Sequence, residues 1–126
     1  MPVLPKQPLG HRIGSASAKI VIEAPLDFCC PFSKRLFERV VKEVMPLYES
    51  KAPGQISFLH YNQVQPWHAQ SSYMHEAALA VEMVDPALYT QFALDLFENQ
   101  AQFFVRSSPH AMPMPLLTHY HWAPAR

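Results

Sequence analysis

The sequence predicts an α/β fold from three stretches. Lys19-Ile20-Val21-Ile22-Glu23-Ala24 is a short β-branched run closed by Pro25, and runs of this kind suit a central strand buried on both faces. From Phe32 to Tyr48 apolar residues recur in steps of three and four, the period of an amphipathic helix. After the turn signal Pro53-Gly54, residues 55–61 (Gln-Ile-Ser-Phe-Leu-His-Tyr) are rich in strand formers. A strand, a crossover helix and a second strand make a right-handed βαβ unit with parallel strands, here over about residues 19–62.

Each element has its own signals. Glu23 interrupts the first strand, which places its carboxylate at the strand end or against a polar pocket. In the first helix Phe32, Leu36, Phe37, Val40, Val41 and Val44 form the apolar face. Lys34, Arg35, Glu38, Arg39, Lys42 and Glu43 form a solvated one, and Pro46 kinks or ends the regular part. After the connector 63–68, residues 70–84 read as a helix with apolar steps at Tyr73, Ala77, Leu79, Ala80, Met83 and Val84. Asp85-Pro86 supplies an N-cap and a first helical residue for another helix, which runs to about Phe104 with Leu88, Phe92, Leu96 and Phe97 inward. Residues 1–18, with Pro2, Pro5 and Pro8, are aperiodic and read as a loosely ordered leader. Residues 105–126 are broken by Pro109, Pro113, Pro115 and Pro124 and read as an irregular tail. The predicted organisation is a leader (1–18), one α/β domain (19–104) and a tail (105–126).

Composition narrows the function. Ten basic residues balance ten acidic ones in 126, and 49% of the residues are apolar. No basic cluster interleaves with aromatics, so neither nucleic acid nor an anionic membrane is an expected partner. The N-terminus lacks a continuous apolar signal region and no apolar run is long enough to span a bilayer, so a cytoplasmic protein is expected. Both cysteines of the chain, Cys29 and Cys30, are adjacent. A bridge between neighbours is strained, which favours reduced thiols.

Those cysteines lie in Asp27-Phe28-Cys29-Cys30-Pro31-Phe32-Ser33-Lys34, where the first strand hands over to the first helix. Pro31 directly after Cys30 puts that thiol at a helix N-terminus. Unpaired N–H groups and the helix dipole there favour a thiolate, and reactive cysteines so placed reach pKa values of roughly 3.5 to 7.5. Lys34 and Arg35 act in the same direction. Ser33, three residues on and on the same face, can donate a hydrogen bond to the Cys30 sulfur but cannot close a disulfide with it. The candidate catalytic residues are therefore Cys30 and Ser33, with Cys29 packing at the strand end.

The order of this motif after a β-branched strand, the amphipathic helix, the Ile56-Ser57-Phe58 strand and Pro66-Trp67-His68 before a helical insertion resembles the DsbA-like branch of the thioredoxin-fold superfamily, over residues 18–104. The resemblance implies a partial thioredoxin-like fold and assigns the nucleophile to Cys30. It implies a thiol or disulfide substrate, with glutathione as a candidate co-substrate and no resident cofactor. Two departures stand out. Ser33 replaces the second motif cysteine, so a mixed disulfide on Cys30 needs an external thiol for release. No proline-led hairpin follows Phe104, and Pro66 precedes a helix, so the domain is expected to be incomplete and weak or inactive, with exposed sheet edges. The alternatives are a non-catalytic thioredoxin-fold binding module or remnant, and a glutathione transferase-like protein, since Cys-Pro-Phe-Ser at a helix start also occurs in that branch. His60, His68 and His75 fit no common zinc spacing, and His110, His119 and His121 have no accompanying cysteine or carboxylate, so no metal is expected. Trp67 is expected to cap the helical insertion.

Overall fold

The computed structural model describes residues 10–104. They form β1 (His11–Gly14), β2 (Ile20–Leu26), α1 (Pro31–Arg39), a π-helical turn (Val40–Val44), α2 (Met45–Lys51), β3 (Ile56–Asn62), α3 (Ser71–Val84) and α4 (Tyr89–Glu98). Single 3-10 turns precede and follow α4, at Pro86–Leu88 and Gln100–Phe103. The predicted tail, 105–126, and the first part of the predicted leader, 1–9, lie outside the described residues, as do His110, His119 and His121.

The fold is mixed α/β, and its βαβ unit is the one the sequence predicts. β2 runs parallel to β3, in register from Ile20 opposite Ile56 to Leu26 opposite Asn62. The sheet also has a strand where the sequence suggests only a leader. β1 pairs antiparallel with the other side of β3, from His11 opposite His60 to Gly14 opposite Ser57, giving the order β1-β3-β2. With one β-branched residue, Ile13, this strand has no period of its own to read. Its place is set by close backbone approach. A Cβ on Gly10 or Gly14 would stand 2.8 Å from the carbonyl oxygen of His60 or Ile56, and both glycines have positive φ, 147° and 94°.

The third strand makes β3 central and leaves β2 at an edge, which corrects the expectation of a central β2. β3 is buried from Ile56 to His60, whereas Ile20 and Val21 of β2 are 51% and 41% exposed. The edge position also explains Glu23, which is exposed, lies opposite Leu59 and accepts a hydrogen bond from the Tyr61 hydroxyl at 3.1 Å.

Pro46 does not break the long helix. The turn ahead of it widens, with the Met45 N–H bonding to the Val40 carbonyl, five residues back. A π-type turn accommodates a residue that has no N–H to give and whose ring crowds the carbonyl four positions back. On its outer face Lys42 pairs with Glu38 and Arg39 with Glu43, each at 3.4 Å. Asp85 caps the following segment as predicted, its side chain accepting from the Ala87 N–H at 2.9 Å.

Helices cover the sheet face that carries His11, Phe58 and His60. Phe37 of α1 packs on Phe58, His60 and Phe97, and Tyr89 of α4 stacks on His11 and His60. Helix α3 is turned relative to its predicted face. Ser71, Met74, His75 and Ala78 are buried, while Tyr73, Met83 and Val84 are largely exposed. Long-range contacts set that rotation: Met74 meets Cys29, Ser71 meets Asp27, and the His75 ring lies 4.6 Å from that of Phe28. No helix among the described residues is long and apolar enough to cross a membrane.

Candidate active site

β2 ends at Leu26 and α1 begins at Pro31, so residues 27–30 carry the handover. Asp27 is its anchor. Though only 1% exposed, its carboxylate accepts from the Cys29 N–H (2.7 Å) and the Ser71 hydroxyl (2.8 Å) on Oδ1, and from the Gln65 N–H (2.8 Å) and His68 Nδ1 (3.1 Å) on Oδ2. Burial pushes this carboxyl up, but the hydrogen bonds from Gln65, Ser71, Cys29 and His68 together outweigh it and hold the group below its ordinary value. One side chain thus ties the end of β2, the 63–68 connector and the start of α3 together.

The two cysteines face different surroundings. Cys29 is fully buried, and its thiol donates to the Met74 sulfur at 3.4 Å. Burial first, and then the Asp27 charge, push that thiol up to about 11. A thiol held this firmly in the neutral form is a packing group. Cys30 is the residue immediately before α1, in an extended conformation (φ −85°, ψ 121°), with Pro31 as the first helical residue and its carbonyl accepting the first helical bond from Lys34 at 3.0 Å. It is 7% exposed.

Ser33 differs from expectation. No hydrogen bond joins its hydroxyl to the Cys30 sulfur among the described residues. Instead, its Oγ accepts from the Asp27 backbone N–H at 3.2 Å. That N–H lies beyond the end of the ladder with β3, where nothing else satisfies it. Ser33 and Asp27 therefore brace the same turn, one through the backbone and the other through the carboxylate.

Three further groups belong to this site that the sequence reading did not place in it. Gln100, 5% exposed, donates through Nε2 to the Phe28 carbonyl at 2.8 Å, with the Cys30 carbonyl 3.5 Å away. His68 and Ser71 hold Asp27. No local pattern marks these residues, because their partners lie tens of positions away in the chain. Trp67, expected as a cap, is 72% exposed and touches the ring of His68 edge-on at 6.2 Å. The tie from His68 to Asp27 turns the connector so that this indole faces outward.

A second polar group lies between the sheet and the helices. His60 is 2% exposed, and its Nε2 has no partner among the described residues. His75 has Nδ1 2.9 Å from Asn62 Oδ1 and an unpaired Nε2, and the Tyr89 hydroxyl is also unpaired. Burial, aided by His11 and His75, pushes His60 down to about 3. Burial likewise lowers His75 to about 4, against an opposing pull from Asp27 and with help from His11. His11 completes the group, with Nδ1 2.9 Å from the Glu82 carboxylate and its ring stacked on Tyr89 at 4.1 Å. These rings are neighbours, yet no group of three or more His, Cys, Asp or Glu side chains among the described residues is placed to hold a metal ion.

Compared with protein-family models, with curated proteins and with solved structures, the chain matches none.

Proposed function

We propose that the chain is a thioredoxin-like relative in which Cys30 acts as a single nucleophilic thiol towards a thiol or disulfide substrate. The observation that supports this reading is the split between the neighbouring cysteines. Cys29 is sealed against Met74 with its thiol held neutral, while Cys30 stands at the N-terminus of α1 on a turn braced by Asp27, Ser33 and Gln100. Cys30 is the residue directly before α1, and the unpaired N–H groups and dipole at a helix N-terminus favour negative charge there.

The chemistry is thiol–disulfide exchange. The Cys30 thiolate attacks one sulfur of a substrate disulfide, forming a new S–S bond as the old one breaks, and the displaced thiolate takes a proton from water. Ser33 brings no second thiol, so an external thiolate of the glutathione class must attack the substrate sulfur of the mixed disulfide, forming a new disulfide with the substrate half as the bond to Cys30 breaks and Cys30 leaves as the thiolate.

Incubation with oxidised glutathione, followed by intact-mass and peptide mapping, tests the reading. One glutathione adduct is expected on Cys30, retained in C29A and lost in C30S. Absence of an adduct from the folded wild-type chain, or its location on Cys29, overturns the reading. It would favour instead a non-catalytic thioredoxin-like module, for which the low exposure of Cys30 is the supporting observation.

A further inference from the structure

The outer edge of β2 carries a self-complementary pattern that is independent of the thiol chemistry. In a parallel pair, alternate residues turn both backbone groups toward the partner strand. The Ile20 N–H bonds to the Gln55 carbonyl and the Leu26 carbonyl accepts from Gln63, so Ile20, Ile22, Ala24 and Leu26 face β3. Lys19, Val21, Glu23 and Pro25 therefore turn their backbone groups away from the sheet. Pro25 has no N–H to offer, and the next outward N–H, that of Asp27, is taken by Ser33. The donors left on this edge among the described residues are Lys19, Val21 and Glu23, with Val21 in the middle.

We propose that this edge pairs antiparallel with the same edge of a second copy of the chain, about a twofold axis through Val21. Val21 then exchanges both backbone hydrogen bonds with its own copy, and Lys19 exchanges them with Glu23 of the other copy. All the remaining outward donors are satisfied. Directly opposed residues in an antiparallel pair put their side chains on one face, so each Lys19 ammonium meets a Glu23 carboxylate. Lys19 makes no ion pair among the described residues, and Glu23 holds only the Tyr61 hydroxyl. On the opposite face Ile20, 51% exposed, falls opposite Ile22. Moving the axis to Ile22 would set Lys19 against Pro25, which has no donor. Moving it to Ile20 would set Lys19 against Val21 and leave Glu23 opposite Ser17. Only the Val21 axis opposes Lys19 to Glu23, so charge complementarity selects it, and the contact is isologous, so it closes as a dimer.

Sedimentation equilibrium on the full chain at low salt, with charge reversals, tests the pairing. The wild type is expected to dimerise. K19E and E23K, each of which opposes like charges twice per dimer, are expected to weaken association about tenfold. The double variant K19E/E23K restores opposite charges in every pair and is expected to recover the wild-type constant. Lys19 is exposed, so K19E keeps the test open if E23K disturbs Tyr61. Amide exchange at Val21 and Glu23 should slow as concentration rises. A wild type that stays monomeric overturns the proposal, including the case where those amides are protected at every concentration and another segment of the chain holds the edge. A dimer unaffected by the single reversals, or not recovered by the double, also overturns it.

Discussion

Asp27 and His60 are both almost fully buried, but of the two only Asp27 has all its polar atoms met among the described residues. Its carboxylate accepts from Cys29, Gln65, Ser71 and His68, and these bonds overcome the effect of burial. His60 sits among the rings of His11, Phe37, Phe58 and Tyr89 with Nε2 unpaired, and burial prevails. A buried charge persists where the chain supplies several donors and is suppressed where it supplies rings. The first arrangement holds a turn in one geometry. The second makes neutrality of the histidines a condition of folding.

The largest expected effect comes from removing the anchor. D27A leaves the Ser71, Gln65 and Cys29 donors without their acceptor at a buried site and is expected to cost about 3–5 kcal/mol in urea unfolding at neutral pH. A loss below about 1 kcal/mol would mean that water or rearranged neighbours replace the carboxylate, and the contrast with His60 would collapse.

Acid should act on the other region first. His60 and His75 titrate near 3 and 4 when folded, against an ordinary value of 6.5, so the unfolded chain binds more protons between those limits. Their contribution to stability is complete above pH 6.5 and is lost as pH falls toward 4 and then 3, at up to about 1.4 kcal/mol per pH unit for each group titrating. Asp27, with a folded value below its ordinary 3.8, adds its loss only below that pH. Urea unfolding measured from pH 7 to 4 should show the decline, and H60F, which keeps an aromatic ring in the cluster, should flatten it. An unchanged slope in H60F would remove His60 from the account.

The smallest effect sharpens the first. S33A removes the acceptor of the Asp27 N–H at 3.2 Å and is expected to cost about 1 kcal/mol in the same urea assay. A cost equal to that of D27A would show that the backbone bond, rather than the carboxylate, carries the turn.

Much of the frame was legible locally. The β-branched run 19–24, the periodicity from Phe32 to Tyr48 and the Asp85-Pro86 cap each act within a few residues and each places its element, but β2 runs on through Pro25 to Leu26, and Phe32, Leu36 and Leu88, expected inward, are exposed. Cys30 was legible as a helix-start residue because Pro31 fixes the backbone that follows it. Ser33 was legible in position but not in partner: the hydroxyl at that step can serve either a sulfur or a backbone N–H, and the unpaired N–H of Asp27 receives it. Asp27 was visible in the motif but its role was not, since three of its four donors come from residues 65–71. The face of α3 was misread for a related reason. Tyr73 and Met83 look inward on hydropathy alone, but Ser71 and His75 are held inward by partners elsewhere.

By itself, the sequence determined the βαβ unit, the placement of Cys30 at the start of α1 and the lack of a second thiol at Ser33, because these depend on periodicity, capping and residue identity within one or two turns. The tertiary structure decided which strand is central among the described residues and which cysteine packs against Met74. Each of these depends on β1 closing against β3 and on α3 folding back over Asp27 and Cys29. Such contacts join residues far apart in the chain, and no local pattern encodes them.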